Sequence, residues 1–194
     1  MLICVTNRNL CKDDFLFRID QIAKGKPHAI LLREKDLSMT EYEKLARSVG
    51  KICMDNLVPL IISQNIEVAA EMKCSSIHLS MQDLKKHKNK IKTFSRIGAS
   101  IHSIIEAKEA QQLGATYLIA GHIFPTECKK GVPPKGLLFL KEVCDAVEIP
   151  VFAIGGITKD KVKEVIGAGA KGVCVMSEAM TCCKPVELTV KFRV

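Results

Sequence analysis

Eight short apolar runs, separated by stretches of helical periodicity, constrain this chain more than any other feature of it. The runs cover residues 2–6, 28–32, 57–62, 75–79, 95–99, 117–120, 151–154 and 172–176. They do not alternate strictly between apolar and polar, which suits parallel strands covered on both faces. Between them, apolar residues recur at helical spacing. The sets are Phe15, Phe17, Ile19, Ile22 and Ala23; Leu45, Val49, Ile52 and Cys53; Ile104, Ala107, Ala110 and Leu113; Leu137, Leu140, Val143, Cys144 and Val147; and Val162, Val165 and Ile166. Leu113-Gly114 and Ala168-Gly169 close the helices before the sixth and eighth strands. Eight βα units in 194 residues average about 24 each, the lower edge of what a closed (βα)8 TIM barrel needs. The rival, a doubly wound sheet, usually has five or six strands. Gly167-Ala168-Gly169-Ala170-Lys171-Gly172 fits the G-x-G-x-x-G dinucleotide pattern but ends a helix and precedes a strand, the reverse of the required order. The expectation is an α/β chain folded as one TIM-barrel domain over 1–194.

Composition narrows the partners. With 47% hydrophobic residues the chain can build a core, so disorder is excluded. Its longest apolar runs, such as 57–62, fall far short of the ~18 residues that cross a membrane. The opening MLICVTNRN lacks the basic start and long apolar stretch of a secretory signal, which implies a cytoplasmic protein. The nine Cys include no C-x-x-C pair and make an odd count, so they read as reduced thiols. Cys128 alone sits in a polar loop suited to chemistry. A formal charge of +8 asks for anionic partners. The densest run, Lys85 to Lys92, reads as a solvated helix face, and two Tyr without Trp make no stacking platform for single-stranded nucleic acid. Phosphorylated small molecules are the expected partners, without nucleic acid or membrane.

In a barrel, chemistry gathers at the C-terminal ends of the strands. The seventh strand ends in Gly155-Gly156 and the eighth in Met176-Ser177, where such loops often bind phosphate. The alternative is a tight strand-to-helix turn before a Thr158 cap, and Ser177, supplied in register by the eighth strand, favours phosphate. Arg33 and Lys35, one strand step of two apart, offer a bidentate donor and a point charge for an anion, or a surface loop paired with Glu34 and Asp36. Lys129 and Lys130 carry the same ambiguity. His122, behind the small Gly121, is placed to move protons near neutral pH, or to sit in the core. His102 alternates with Ser100, which suggests a hydrogen-bonded structural role, and His78 leans structural too. Asp83 is the one well-placed carboxylate for Mg²⁺.

Leu32-Arg33-Glu34-Lys35, Ser100-Ile101-His102-Ser103, the tract from Gly121 to Gly131, Ala153-Ile154-Gly155-Gly156-Ile157-Thr158 and Val175-Met176-Ser177, in this order, resemble the thiamin phosphate synthase/TenI family. The resemblance implies a (βα)8 barrel and a homo-oligomer. It also implies substrate contacts at Arg33, Lys35, Ser100, His102, Thr126, Cys128 and Lys129, and phosphate contacts at Gly155, Gly156, Met176 and Ser177. Three departures from the synthase pattern decide the branch. Ser63-Gln64 replaces Asn-Asp, Thr126-Glu127-Cys128-Lys129 replaces Thr-x-Thr-Lys, and Gly121-His122 replaces Gly-Pro. They make the first expectation a thiazole tautomerase, an isomerase of thiamin biosynthesis. There His122 would shuttle the proton that aromatises a thiazole phosphate carboxylate, and no cofactor would be needed. The alternatives are the synthase itself and a non-catalytic thiamin-pathway regulatory protein. The synthase joins an aminopyrimidine diphosphate to a thiazole phosphate with Mg²⁺, for which Asp83 and Lys35 are the retained features.

Overall fold

A strand buried on both faces needs a covering layer on each side, and a sheet closed on itself inside a ring of helices supplies both. The computed structural model describes residues 1–193, and its eight strands form a closed parallel barrel in the order β1 to β8. They are β1 (Leu2–Val5), β2 (Ala29–Leu32), β3 (Leu60–Ser63), β4 (Ser76–Ser80), β5 (Arg96–Ile101), β6 (Tyr117–Gly121), β7 (Val151–Ile154) and β8 (Gly172–Val175). The expected barrel class is therefore present. The strand limits agree with the expected ones to within two residues, except at β3. That strand starts at Leu60 because Leu57 adopts φ 54° after the preceding helix and lies 87% exposed.

The chain divides into two compact units, Met1–Ile77 with Val175–Arg193, and His78–Cys174. In the first, β1, β2 and β3 pair in parallel, with Cys4 opposite Ile30 and Leu31 opposite Ile61. Helices α1 (Phe15–Lys24), α2 (Met39–Asp55), α3 (Ile66–Glu71), α8 (Ser177–Thr181) and α9 (Leu188–Lys191) belong to this unit. The Asp14 side chain caps α1 by accepting from the Phe17 N–H, and Ser38 with Glu41 forms a capping box on α2. Ile19, Ile22 and Ala23 make the buried face of α1, whereas Phe17 is 57% exposed. At 100° per residue Phe17 lies about 200° round from Ile19, so its place in the expected stripe was wrong.

In the second unit, β5, β6 and β7 pair in parallel, with Ser100 opposite Ile119 and Ala120 opposite Ala153. Helices α4 (Met81–His87), α5 (Ile104–Gln112), α6 (Gly136–Ala146) and α7 (Val162–Gly167) belong here. A Cβ on Gly98 would lie 2.1 Å from the Tyr117 ring and 2.4 Å from His78 Nδ1, so only glycine leaves room for those two side chains. Helix α7 ends at Gly167 and β8 begins at Gly172, which confirms that the G-x-G-x-x-G tract runs helix to strand. All nine cysteines are free thiols. Burial pushes the Cys53 thiol up to about 12, as expected of a small packing residue.

Candidate active site

The end of β2 and the end of β3 face a polar cavity of about 120 Å³, lined by Arg33, Glu34, Lys35, Leu37, Ser63, Gln64 and Asn65. Although β2 stops at Leu32, Arg33 and Lys35 both reach this cavity, as an anion site requires. Glu34 and Asp36 both bond to residues just after β1. The buried Glu34 carboxylate accepts from the Thr6 hydroxyl at 2.6 Å and from the Arg8 backbone N–H at 3.0 and 3.1 Å. Asp36 pairs with the Arg8 guanidinium at 2.7 Å. The Tyr42 hydroxyl, from α2, donates to the Leu32 carbonyl at 2.8 Å and accepts from the Ser63 N–H at 3.2 Å, which ties the two strand ends together. Burial pushes that phenol up to about 12, so it stays a donor at any physiological pH.

In the second unit, Ser100 Oγ lies 2.8 Å from His78 Nε2, and His78 Nδ1 lies 3.2 Å from the Tyr117 hydroxyl. The His102 Nδ1 is 2.8 Å from the Gly121 carbonyl. A carbonyl only accepts, so this nitrogen is the donor of the bond. His122 is buried, and its Nε2 donates to the Val132 carbonyl at 3.2 Å. Gly155 (φ 98°) and Gly156 (φ 64°) turn the chain out of β7. A Cβ on Gly155 would come within 2.3 Å of the His122 Cβ, and one on Gly156 within 2.3 Å of the Pro125 carbonyl oxygen. The paired glycines thus let the turn pack against the segment after β6. Thr126, Cys128 and Lys129 belong to an outlying loop, where Glu127–Lys129 forms a 3-10 turn and Cys128 and Lys129 are exposed. In the first unit, Met176 precedes α8 and Ser177 opens it.

Lys161 escaped the sequence reading. Its Nζ donates to the Gly156 carbonyl at 3.2 Å and lies 4.4 Å from the centre of the Phe124 ring, a cation fixed beside the glycine turn. Tyr42 escaped as well, and so did the bond from Thr6 to Glu34, because such bonds join strand ends far apart in sequence. Metal donors are sparse. Among the described residues no three His, Cys, Asp or Glu side chains gather into a metal-binding group. Asp83 lies in the first turn of α4, where its Oδ2 accepts from the Ser80 hydroxyl at 2.6 Å. The end of β3 offers only the neutral donors Ser63, Gln64 and Asn65.

Against known proteins, the thiamine monophosphate synthase family profile matches residues 2–179. The chain belongs to that family. A thiamine-phosphate synthase of Clostridium acetobutylicum is 35% identical over 91% of this chain and 85% of its own length. One from Fusobacterium nucleatum is 34% identical over 96% and 94%. A solved thiamine phosphate pyrophosphorylase from Pyrococcus furiosus superimposes with a TM-score of 0.87 at 29% identity, covering 99% of this chain and 93% of that one. The chain is thus a member of a thiamin-biosynthesis enzyme family. No helix among the described residues is long and apolar enough to cross a membrane.

These relatives overturn the expectation of a tautomerase, and with it the isomerase class. That expectation rested on three short tracts, whereas the likeness to synthases is spread over nearly the whole chain. The structure shows why His122 was a weak guide. Its ring is buried and one nitrogen is occupied by the Val132 carbonyl, an arrangement that a histidine holding a loop also requires.

Proposed function

We propose that the chain is a thiamine-phosphate synthase, a transferase that joins an aminopyrimidine diphosphate to a thiazole phosphate and releases diphosphate. The observation that carries this reading is the polar cavity holding Arg33 and Lys35, in a chain 35% identical to a thiamine-phosphate synthase. As the bond to diphosphate breaks, negative charge grows on the leaving oxygens. Cations already aimed at that position stabilise the transition state more than the bound substrate. Arg33 supplies a planar fork for two phosphate oxygens and Lys35 a point charge. Gln64 and Asn65 add amide donors and acceptors on the same wall. The Gly155-Gly156 turn, with Lys161 beside it, is the site for the thiazole phosphate. Ser100 and His102 lie at the end of β5, where the bond from His102 Nδ1 to the Gly121 carbonyl leaves Nε2 for a bound ring. Met176, Ser177, Thr126, Cys128 and Lys129 keep the contacts expected from sequence as part of this proposal.

Mg²⁺ ordinarily needs one or two carboxylates beside phosphate oxygens. Asp83 meets that minimum, so it is the residue that would hold the ion. Bound, Mg²⁺ would supply charge neutralisation on a diphosphate. The test is to incubate the protein with both substrates and Mg²⁺ and to follow diphosphate release and the coupled product. Stoichiometric formation of both is expected. Absence of both with fully folded protein refutes the assignment.

A further inference from the structure

Buried carboxylates are costly unless every oxygen is hydrogen-bonded, yet the chain places one between the two cations of its cavity. Glu34 is 5% exposed, Thr6 fully buried, and their bond is 2.6 Å. The same Thr6 oxygen accepts from the Arg33 backbone N–H at 3.0 Å. Both Glu34 oxygens take the Arg8 N–H. The segment 33–35 has left the sheet, so no strand ladder sets its course. Two of its fixed points, the Arg33 N–H and the Glu34 carboxylate, are held by Thr6 and Arg8 just after β1.

We propose that Thr6 and Glu34 are positioning residues: they clamp the chain between Arg33 and Lys35 and thereby aim both cations into the cavity. This rests on the proposed anion-binding role of that cavity. Thr6 hands its hydroxyl proton to Glu34 and receives the Arg33 N–H, so replacing it with valine, of the same shape, frees both neighbours at once. Serine keeps the hydroxyl and restores the clamp.

The experiment measures inorganic diphosphate binding by calorimetry, at a fixed excess of Mg²⁺, with folding checked by circular dichroism. Wild type, Thr6→Val, Thr6→Ser, Glu34→Gln, Arg33→Ala and the pair Thr6→Val/Arg33→Ala are compared. Thr6→Val is expected to weaken binding about tenfold, equivalent to 1.4 kcal/mol, and Thr6→Ser less than twofold. Glu34→Gln serves as the second probe if Thr6→Val fails to fold, and is expected to weaken binding severalfold. In the Arg33→Ala background the factor for Thr6→Val should shrink to threefold or less, because one of its two targets is gone. A full tenfold factor in that background overturns the inference, as does unchanged affinity in folded Thr6→Val and Glu34→Gln. If Arg33→Ala weakens binding while the clamp variants do not, the clamp alone is wrong. If wild type binds no diphosphate, the cavity assignment falls, and the clamp with it.

Discussion

Tyr42→Phe tests how the cavity wall is held together. Phenylalanine fills the same space, so no void opens and the effect isolates one oxygen. Tyr42 is 1% exposed, Leu32 is fully buried and Ser63 is 7% exposed, so solvent does not readily replace the lost partner. Two bonds disappear, one at 2.8 Å to the Leu32 carbonyl and one at 3.2 Å from the Ser63 N–H. A buried polar group deprived of its partner costs ~1–3 kcal/mol. Two such groups, the longer bond weighted less, give about 2–4 kcal/mol. For a chain of this length each kcal/mol moves Tm by ~2–4 °C, so the expected fall is roughly 5–15 °C by thermal circular dichroism.

The same oxygen gives the variant a pH signature. Burial raises the folded-state pKa of the Tyr42 phenol from 10.0 to about 12. A group whose folded pKa is raised contributes stability that is complete below the unfolded pKa and is lost as pH climbs through the folded one. The wild-type advantage over Tyr42→Phe should therefore be constant up to about pH 10 and shrink between pH 10 and 12. Tyr117, whose phenol burial also raises, is present in both proteins and cancels in the difference. A Tm within about 2 °C of wild type at pH 8, or an advantage that stays flat through pH 11.5, would show that the oxygen does not bridge β2 and β3.

Other substitutions probe the remaining parts. Gly155→Ala forces a side chain onto φ 98° and puts its Cβ 2.3 Å from the His122 Cβ, so urea denaturation should show a loss of roughly 2–6 kcal/mol. Asp13 binds the Arg18 guanidinium through both oxygens, at 2.6 and 3.0 Å, and that contact, helped by the Cys11 thiol, holds its carboxyl below the usual range. Asp13→Asn should cost about 1–2 kcal/mol at pH 7, discounted because the Asp13 side chain is 38% exposed, in a urea series. Because the folded pKa is lowered, this difference persists above about pH 4 and vanishes as pH falls through that lowered value. Asp83→Asn should weaken Mn²⁺ binding to the protein–diphosphate complex about tenfold by electron paramagnetic resonance, and an unchanged affinity would move the metal away from α4.

What could be read from residues alone follows from how local each signal is. Strands buried on both faces declare themselves as runs, and β7 was placed to the residue because Pro150 and Gly155 bound it on both sides. Helix α3, of six residues, went unseen, whereas the helical readings at Lys85–Lys92 and after Ser177 fall on or beside α4, α8 and α9. Arg33 and Lys35 were legible as cations at a strand end. Glu34 was not legible as a clamp, because nothing near it in sequence says that β1 and β2 pair with Cys4 opposite Ile30 and so bring Thr6 to its carboxylate.

The branch was misjudged for a related reason. Gly121-His122 and Thr126-Glu127-Cys128-Lys129 are conspicuous as strings, yet His122 is turned toward the Val132 carbonyl and the loop of Cys128 and Lys129 is exposed. The groups with the tightest geometry are instead the ones around Arg33 and Lys35, an ordered cationic wall at a polar cavity. A leaving diphosphate requires such a wall, whereas a proton shift that ends in aromaticity needs mainly a base and an acid. Buried polar groups at Thr6 and Glu34 hold the chain beside that wall, as the proposed synthase reading needs, and loss of the single Thr6 hydroxyl should be felt there.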